Sequence, residues 1–450
     1  MSRRKEIDSK FISDINKLIS NGDKQEVKQI ISNLHIADTA EIINEIDIKD
    51  ARYLFELIEK EDAALLLIEI EEDIRKHLLD NLSSQQIAQE IIEYLETDDA
   101  TDIISGLERK KQENVLSLIN DHDYASNIEN LLSYPENTAG SLMATELIKV
   151  NENWTTLMCL KEMRKQAAEV KKVHTIYVVN NENVLLGSLS LRRLLITETK
   201  VAIKEIANTE IISVKTVEDN ETIANTMNKY DLVVLPVVNE KGELLGRITI
   251  DDVMDVVKEE AEKDYQMASG IVEDVELSDS IWQLTRARLP WLLIGLIGGI
   301  LGAFIIDNFL PFDKNFQLTF FIPLIAAMGG NVGVQSAAIV VQGLANKSII
   351  NNTIINKLMK ELSVALLNGV ICSTIIFIAT FTIGYDNELC LIVSLSLISV
   401  IIFASLFGTF VPLALDKYKI DPALATGPFI TTVNDVLGLF IYLMIGNAIL

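Results

Sequence analysis

The chain has 450 residues, of which 49% are hydrophobic, and it carries a formal net charge of −25 at pH 7. From Thr285 onward there are 8 basic and 8 acidic residues, whereas the residues before it contain 31 Lys or Arg and 56 Asp or Glu. Such an acidic half repels nucleic acid, which argues against DNA or RNA as a partner; it either attracts cations or serves only as a soluble surface.

The first residues and the cysteines indicate a cytoplasmic setting for the acidic half. The start, MSRRKEIDSKF, is basic but precedes no apolar segment, so we expect no cleaved signal sequence and a cytoplasmic N-terminal half. Cys159, Cys372 and Cys390 have neither a paired nor a metal-binding spacing, which fits inert thiols in a reducing compartment.

Residues 1–137 show helical periodicity. The stretches ADTAEIINEI, SSQQIAQEIIEYL and DDATDIISGL each place apolar residues three and four positions apart. Because this spacing puts the apolar side chains on one face of a helix, we predict an acidic domain of repeated short α-helices.

An internal repeat follows the helical region. TIYVVNNENVLLGSLSLRRLL from Thr175 and VLPVVNEKGELLGRITIDDVM from Val234 match at an offset of 59 residues. Each stretch reads as strand, turn, short strand and helix, with the apolar steps in register. We therefore predict a tandem pair of α/β modules, at about 138–200 and 201–257.

Carboxylates recur at the ends of these elements. A predicted helix, DDVMDVVKEEAEKDYQ, joins the repeat to the apolar half, and its Asp251 and Asp252 replace Arg192 and Arg193 of the first module. If the carboxylates face one another, like charges repel until divalent cations bridge them; the alternative is a solvated acidic surface. The candidate sensing residues are Asp98, Asp102, Glu221, Asp231, Asp252, Asp255, Glu260 and Asp264.

Five long apolar segments follow Arg288, and their length predicts transmembrane helices rather than a buried soluble core. Seven basic residues flank one side of the segments and only Lys314 flanks the other, so the positive-inside rule places the C-terminus outside the cytoplasm. The segments are about 289–310, 318–345, 361–384, 389–415 and 423–450, and the seven residues are Arg286, Arg288, Lys347, Lys357, Lys360, Lys417 and Lys419.

The second segment contains MGGNVGVQS, a cluster of glycines and amides in the middle of a predicted membrane helix. Glycines permit close helix approach and leave carbonyls accessible, while Asn331 and Gln335 offer neutral oxygens to a cation. Packing of small residues explains Gly329 and Gly333 alone, whereas the whole cluster favours a functional site with Asn331 as a candidate pore residue.

The last segment, IDPALATGPFITTVNDVLGLF, carries a carboxylate within the predicted membrane span. We predict Asp421 as the N-cap and Pro422 as a first-turn residue of the fifth helix, which puts Asp435 about 20 Å along it, near the bilayer midplane. Pro428 then lies inside the helix, where it predicts a kink and freed carbonyls near Gly427.

An intramembrane carboxylate marks a functional site. No Lys or Arg lies inside the predicted spans to neutralise Asp435, so its counter-charge must be a proton or a metal cation. Together with Thr431, Thr432 and Asn434 it forms a band of oxygen atoms, which suits magnesium or calcium better than zinc or copper. The candidate residues for a pore metal are Asp435, Asn331, Asn434 and Asp421.

These motifs resemble the MgtE family of magnesium channels over essentially the whole chain. The matching pieces are YPENTAGSLM, LLGRITIDDVMDVV, ARLPWLL, MGGNVGVQS and DPALATGPFITTVNDVLGL. The resemblance implies a multi-domain protein: a cytoplasmic α-helical repeat domain, tandem α/β cystathionine-β-synthase (CBS) modules, a linking plug helix over 258–284, and an all-α transmembrane domain of five helices over 285–450. It also implies a homodimer with the pore on its axis.

For function, the resemblance implies Mg²⁺ entry down the membrane potential past Asp435, with closure of the pore when cytoplasmic Mg²⁺ binds the sensing carboxylates. The chain departs from the family pattern at two positions. Lys263 stands where the family often has a carboxylate, which predicts a weaker or absent sensing site. Gln342 stands where a basic residue is common, which leaves a gating role of that position open.

Two other functions fit parts of the sequence. One is a broader divalent-cation transporter for cobalt or manganese. The other is a non-transporting membrane sensor whose CBS pair binds an adenine nucleotide through Gly246, Thr249 and Asp252; in a channel, ATP bound there acts as a modulator. An enzyme is not expected, because no nucleophile is paired with a base and the four histidines lack ligand spacing.

Overall fold

The structure, a computed structural model, describes residues 7–167, 170, 172–273, 275, 279–310, 316–345, 354–425 and 427–450. The chain forms two compact units, Met1–Val257 and Lys258–Leu450. The first contains the helical region and the internal repeat, and the second contains the apolar segments.

The helical region folds as its periodicity predicts. Its helices are Ser9–Asn21 (α1), Lys24–Ile31 (α2), Ile36–Glu45 (α3), Ile48–Phe55 (α4), Lys60–Glu69 (α5), Glu72–Asp80 (α6), Ser84–Glu90 (α7), Thr97–Ser105 (α8), Arg109–Leu118 (α9) and His122–Leu131 (α10), with a 3₁₀ helix at Ile92–Tyr94. Asp8 caps α1 by accepting from the Phe11 N–H at 2.8 Å, and Ser83 and Gln86 form a reciprocal capping box on α7. The apolar faces meet in one core around the fully buried Leu67.

The repeat folds into two three-stranded sheets, in each of which a parallel pair is followed by an antiparallel pair. The elements are Ala139–Leu142 (α11), Ile148–Asn151 (β1), Thr156–Gln166 (α12), Ile176–Val179 (β2), Leu185–Leu189 (β3), Leu191–Ile196 (α13), Ile203–Ile206 (α14), Val214–Lys215 (β4), Asn220–Lys229 (α15), Val234–Val238 (β5), Leu244–Thr249 (β6) and Ile250–Ala268 (α16). The sheet orders are β1-β2-β3 and β4-β5-β6.

The offset of 59 residues holds in the strand register. Ile176 lies opposite Leu189 in the first module, and Leu235 lies opposite Ile248 in the second. Both antiparallel ladders carry a bulge at the same place along the middle strand. The predicted tandem modules are therefore confirmed, including a local irregularity that both copies share.

Cys159 is a buried thiol in the core of the first module. It is 0% exposed, and burial raises its pKa to about 11. The thiol is therefore neutral at pH 8 and shielded from reagents, since the thiolate is the reactive form. We expect iodoacetamide to leave Cys159 unlabelled at pH 8 in the folded chain and to label it in urea, as followed by peptide mass spectrometry. Labelling of the folded chain at the rate seen in urea contradicts the inert role.

Helix α16 matches the helix predicted over DDVMDVVKEEAEKDYQ, but it does not have the limits predicted for the plug helix. It begins at Ile250, directly after β6, and ends at Ala268, whereas 258–284 was predicted. It begins earlier because Asp252 accepts from the Thr249 N–H and starts a helical turn at once. It ends where Gly270 adopts a φ of 82°, a left-handed conformation that terminates helices. The described residues between Ala268 and Ile281 are not helical.

The second unit contains five helices that are long and apolar enough to cross a membrane, among the residues that the structure describes. This agrees with the five predicted segments. The helices are Ile281–Phe309 (α17), Ile322–Ala345 (α18), Ile354–Ile383 (α19), Asn387–Lys417 (α20) and Pro428–Ile449 (α21), and a 3₁₀ helix at Phe316–Phe321 leads into α18.

Helix α20 is the centre of this unit. It packs against α18, α19 and α21, and its Leu389, Val393 and Val400 are fully buried. Most apolar side chains of α17 and α19 are instead exposed. That distribution suits outer helices in a bilayer, which is as apolar as their side chains.

The last helix begins later than predicted. Asp421 does not cap it; its Oδ1 accepts from the Ala423 N–H at 2.8 Å at the start of a 3₁₀ helix, Pro422–Ala425. Helix α21 begins at Pro428, after Gly427 with a φ of 52°. Proline disfavours helical conformation in the preceding residue and suits the first helical position, where no N–H partner is needed.

Three further predictions about the last helix are also wrong. Pro428 starts the helix instead of kinking it, and the Gly427 carbonyl is not free, because the Thr431 N–H and hydroxyl donate to it at 3.1 and 3.0 Å. Asp435 lies seven residues after Pro428, which is about 10 Å along the helix rather than 20 Å.

Candidate functional site

Asp435 lies where α21 packs against the glycine cluster of α18. A Cβ atom at Gly330 would lie 3.2 Å from Asp435 Oδ1 and 3.1 Å from Thr431 Cγ2, so a larger residue there would crowd the carboxylate. Asp435 is itself half-buried. The structure thus brings together two features that the sequence predicted separately, the intramembrane carboxylate and the bare backbone of the glycine cluster.

Asn434, predicted beside Asp435 in the pore, packs between helices instead. Its side chain is 0% exposed, and a Cβ atom at Gly333 would collide with its Nδ2. Adjacent residues on a helix point about 100° apart, so Asn434 and Asp435 face different surroundings. Within the described residues, neither end of the Asn434 amide has a hydrogen-bond partner, which is uncommon for a buried amide.

The other two predicted pore residues lie at the surface of the unit. Asn331 is exposed on α18, next to Gly330, and Asp421 is exposed at the 3₁₀ helix that it caps. Asp435 therefore lies half-buried beside the glycine cluster, and the role of the four residues in a pore stays a prediction.

A second carboxylate of this unit escaped the sequence interpretation. Glu361 Oε1 accepts hydrogen bonds from the hydroxyls of Ser336 on α18, at 2.7 Å, and Ser405 on α20, and the two hydroxyl oxygens lie 3.1 Å apart. Three helices are therefore joined at one carboxylate. The available signal was an acidic residue at the edge of an apolar segment, together with the serine that ends MGGNVGVQS.

In the first unit, carboxylates of the helical region and of the second module share one environment. Burial raises the pKa of Asp98 well above its usual range, and the charges of Asp99, Asp252 and Glu96 raise it further. Burial also raises the pKa of Asp252, although hydrogen bonds from Thr249 oppose the shift. Like charges held this close favour binding of a cation.

The remaining predicted sensing residues are more exposed. Glu260 is half-buried, and its Oε1 lies 3.6 Å from Lys263 Nζ; that Lys263 weakens a sensing site stays a prediction. Gln342 is exposed near the end of α18. The exposed carboxylates are Asp102, Glu221, Asp231, Asp255 and Asp264. In the described part of the chain, no three His, Cys, Asp or Glu side chains are arranged to hold a metal ion.

The predicted nucleotide contacts have local partners. Asp252 Oδ2 accepts from the Thr249 N–H at 3.1 Å and from its hydroxyl at 2.5 Å, which caps α16. A Cβ atom at Gly246 would lie 2.6 Å from the Ala144 carbonyl oxygen, so glycine is needed there for backbone packing. These contacts give Gly246, Thr249 and Asp252 structural roles that do not require a bound nucleotide.

Family models match most of the chain. Residues 34–137 match the MgtE intracellular N domain, 139–197 and 203–259 match the CBS domain, and 322–445 match the MgtE divalent cation transporter domain.

Curated relatives and a solved structure are similar to the chain as well. The magnesium transporter MgtE of Bacillus subtilis (strain 168) is 30% identical over 393 residues, which cover 79% of this chain and 87% of the relative. That of Thermus thermophilus is 34% identical over 331 residues, 72% of each chain. The cytosolic domain of the Mg²⁺ channel MgtE, solved in complex with ATP, is 29% identical with a TM-score of 0.51 and covers 54% of this chain and 99% of that one. With its helical region, paired CBS modules and five apolar helices, the chain belongs to the MgtE family of divalent cation transporters.

Proposed function

We propose that the protein is a magnesium-selective channel of the cell membrane, through which Mg²⁺ enters down the membrane potential past Asp435. The observation that carries the proposal is a half-buried carboxylate set against the glycine backbone of a neighbouring membrane helix. Mg²⁺ gives up its water reluctantly, so the carboxylate recognises the ion through retained water rather than by stripping it. The relatives named as magnesium transporters support this substrate.

The assembly we propose is a homodimer with the N-terminal unit in the cytoplasm and the C-terminus outside. The basic residues around one set of membrane-helix ends support this orientation. The exposed apolar faces of α17 and α19 support contact with lipid and with a second copy.

Uptake by the purified chain tests the proposal. Proteoliposomes containing a magnesium-sensitive dye receive external Mg²⁺ under an inside-negative potential. Because a divalent ion gains about 4.6 kcal/mol per 100 mV, we expect uptake to rise steeply with the potential. Competing Co²⁺ or Mn²⁺ is expected to enter less well; equal entry supports the broader divalent-cation transporter. Absence of uptake together with nucleotide binding supports the non-transporting sensor.

Cytoplasmic Mg²⁺ is also the proposed regulator. Rising Mg²⁺ bridges the carboxylates of the helical region, the second CBS module and α16, which closes the pore by mass action. The shared environment of Asp98 and Asp252 supports this step. ATP is a proposed modulator bound to the CBS pair, which rests on the ATP complex of the related cytosolic domain.

Neutralising three sensing carboxylates is expected to leave the channel open at high Mg²⁺. In the combined variant Asp252→Asn, Asp255→Asn and Glu260→Gln, closure should require about tenfold more Mg²⁺, because the bridging ligands are gone. Patch-clamp recording with Mg²⁺ on the N-terminal side measures the closing concentration.

A control variant with the same change in net charge separates the effect of cation bridging from the effect of surface charge. The combined variant Asp14→Asn, Glu56→Gln and Glu113→Gln removes three exposed carboxylates of the helical region, each of which pairs with a neighbouring basic residue. Its closing concentration should match that of the wild type. If both triple variants shift closure equally, surface charge and not cation bridging sets the response.

A further inference from the structure

The internal repeat allows Arg247 to be compared with the equivalent residue of the first module. The equivalent residue of the first module, 59 positions earlier, is Ser188. Both residues form the same backbone bridge to an incoming segment: Ser188 pairs with Asn208 and Arg247 with Ala144, through reciprocal N–H···O bonds of 2.8 to 2.9 Å. A serine therefore suffices for the bridge, and the arginine side chain serves another purpose.

The Arg247 side chain joins the second module to the helical region. It is 4% exposed; its Nη2 lies 2.9 Å from Glu96 Oε1, and its Nε donates to the Glu146 carbonyl oxygen at 2.6 Å. Glu96 is the residue before α8, and Glu146 lies between the helical region and β1. Because removal of Glu96 leaves the buried guanidinium without its counter-charge, the pair resists separation of the segments that it joins.

Helix α8 is also capped across the same joint. The Glu146 carboxylate accepts from the Thr97 N–H at 3.2 Å and from the Thr97 hydroxyl at 2.9 Å, and that hydroxyl accepts from the Thr145 N–H at 2.8 Å. A carboxylate at a helix N-terminus satisfies free N–H groups and suits the helix dipole. The start of α8 is thus fixed by Arg247 through Glu96 and by the segment that Arg247 holds.

We propose that Arg247 is a positioning residue of the cation sensor, and that its ion pair with Glu96 holds α8 on the second module when divalent cations are scarce. The inference rests on the proposed sensing function. Carboxylates crowd this joint and repel one another, and the guanidinium supplies a fixed positive charge among them. Divalent cations then strengthen a docked arrangement that Arg247 has already formed. The carboxylates are Glu96, Asp98, Asp99, Glu146 and Asp252.

Hydrogen–deuterium exchange of the full-length protein in nanodiscs tests this assignment. The readout is the exchange rate of the peptide that begins α8 and includes the Thr97 amide, in EDTA and along a Mg²⁺ series. Arg247→Ser introduces the residue of the first module, Glu96→Gln removes the partner's charge, and the double variant completes a cycle. In EDTA we expect each single variant to exchange about tenfold faster than the wild type, and the double variant no faster than either.

The Mg²⁺ series adds a readout that a purely structural role does not move. In the wild type, Mg²⁺ should add to the protection that is already present in EDTA. In the single variants, the same gain in protection should require about tenfold more Mg²⁺. The β5 and β6 peptides report whether the module is folded, and Glu96→Gln, which lies outside the module, carries the test if Arg247→Ser unfolds it. Unchanged α8 protection in EDTA overturns the proposal, as do additive losses in the double variant. If Mg²⁺ has no effect on the wild type while the variants lose protection, sensing fails and the Arg247 assignment stands.

Discussion

Replacing Asp435 by alanine is expected to lower Mg²⁺ uptake at least tenfold while the protein still folds. The carboxylate faces the backbone of α18 at Gly330, and no Lys or Arg lies within the apolar segments to take its place. A hydrogen bond to a charged group contributes about 1.5–3 kcal/mol, so uptake should fall by roughly tenfold to a hundredfold or more. The measurement is dye-reported Mg²⁺ entry into proteoliposomes at a fixed inside-negative potential.

Two further variants show whether Mg²⁺ uptake depends on the charge or on the shape of the Asp435 side chain. Asp435→Asn keeps the size of the side chain and removes its charge, and it should lose uptake as the alanine variant does. Asp416→Ala removes an exposed carboxylate at the end of α20 and should behave as the wild type. Normal uptake by Asp435→Asn would show that the carboxylate's charge does not select the ion, and the proposed pore residue would be wrong.

The features that the sequence predicted well are those set by local pattern. Helical periodicity marked the short helices of the first unit, and apolar length marked the five membrane helices, because each pattern is complete within one segment. The sequence repeat predicted two modules of the same kind, and the two have the same strand register and a bulge at the same position. Such features need no knowledge of which segments meet in space.

The start of α21 was predicted wrongly because the sequence contains two prolines, each of which could begin the helix. Asp421 with Pro422 fits an N-terminal signal, and so does Gly427 with Pro428. The second pair begins the helix, since Gly427 tolerates the positive φ that it adopts directly before Pro428. The choice depends on backbone packing, because a Cβ atom at Gly427 would collide with the carbonyl oxygen of Ala268. A sequence pattern alone does not contain that contact.

Long-range polar contacts could not be predicted from the sequence either. Arg247 and Glu96 are 151 positions apart, and Ser405 and Glu361 are 44 apart. Neither pair has a motif, and each depends on how separate elements pack. Comparison of the two modules could have flagged Arg247, since an arginine in a strand replaces Ser188 of the other copy.

Replacing Gly408 by alanine is expected to disrupt the packing on which the Asp435 site depends. A Cβ atom there would collide with the carbonyl oxygen of Gly333, so α18 and α20 meet backbone to backbone. Backbone cannot turn away as a side chain can, and overpacking of this kind costs about 1–3 kcal/mol. We expect a lower unfolding temperature in detergent and reduced uptake, because any shift of α18 also moves Gly330 away from Asp435.

A second glycine-to-alanine change separates this contact from the general effect of the substitution. Gly299 also lies within a membrane helix, α17, but a Cβ atom there would meet nothing within 4 Å. Alanine is the better helix former by about 1 kcal/mol, so Gly299→Ala should be neutral or slightly stabilising. The difference in unfolding temperature between the two variants therefore measures the Gly333–Gly408 contact itself. Equal stability would mean that α18 and α20 do not approach so closely, and the position of the glycine cluster beside Asp435 would lose its support.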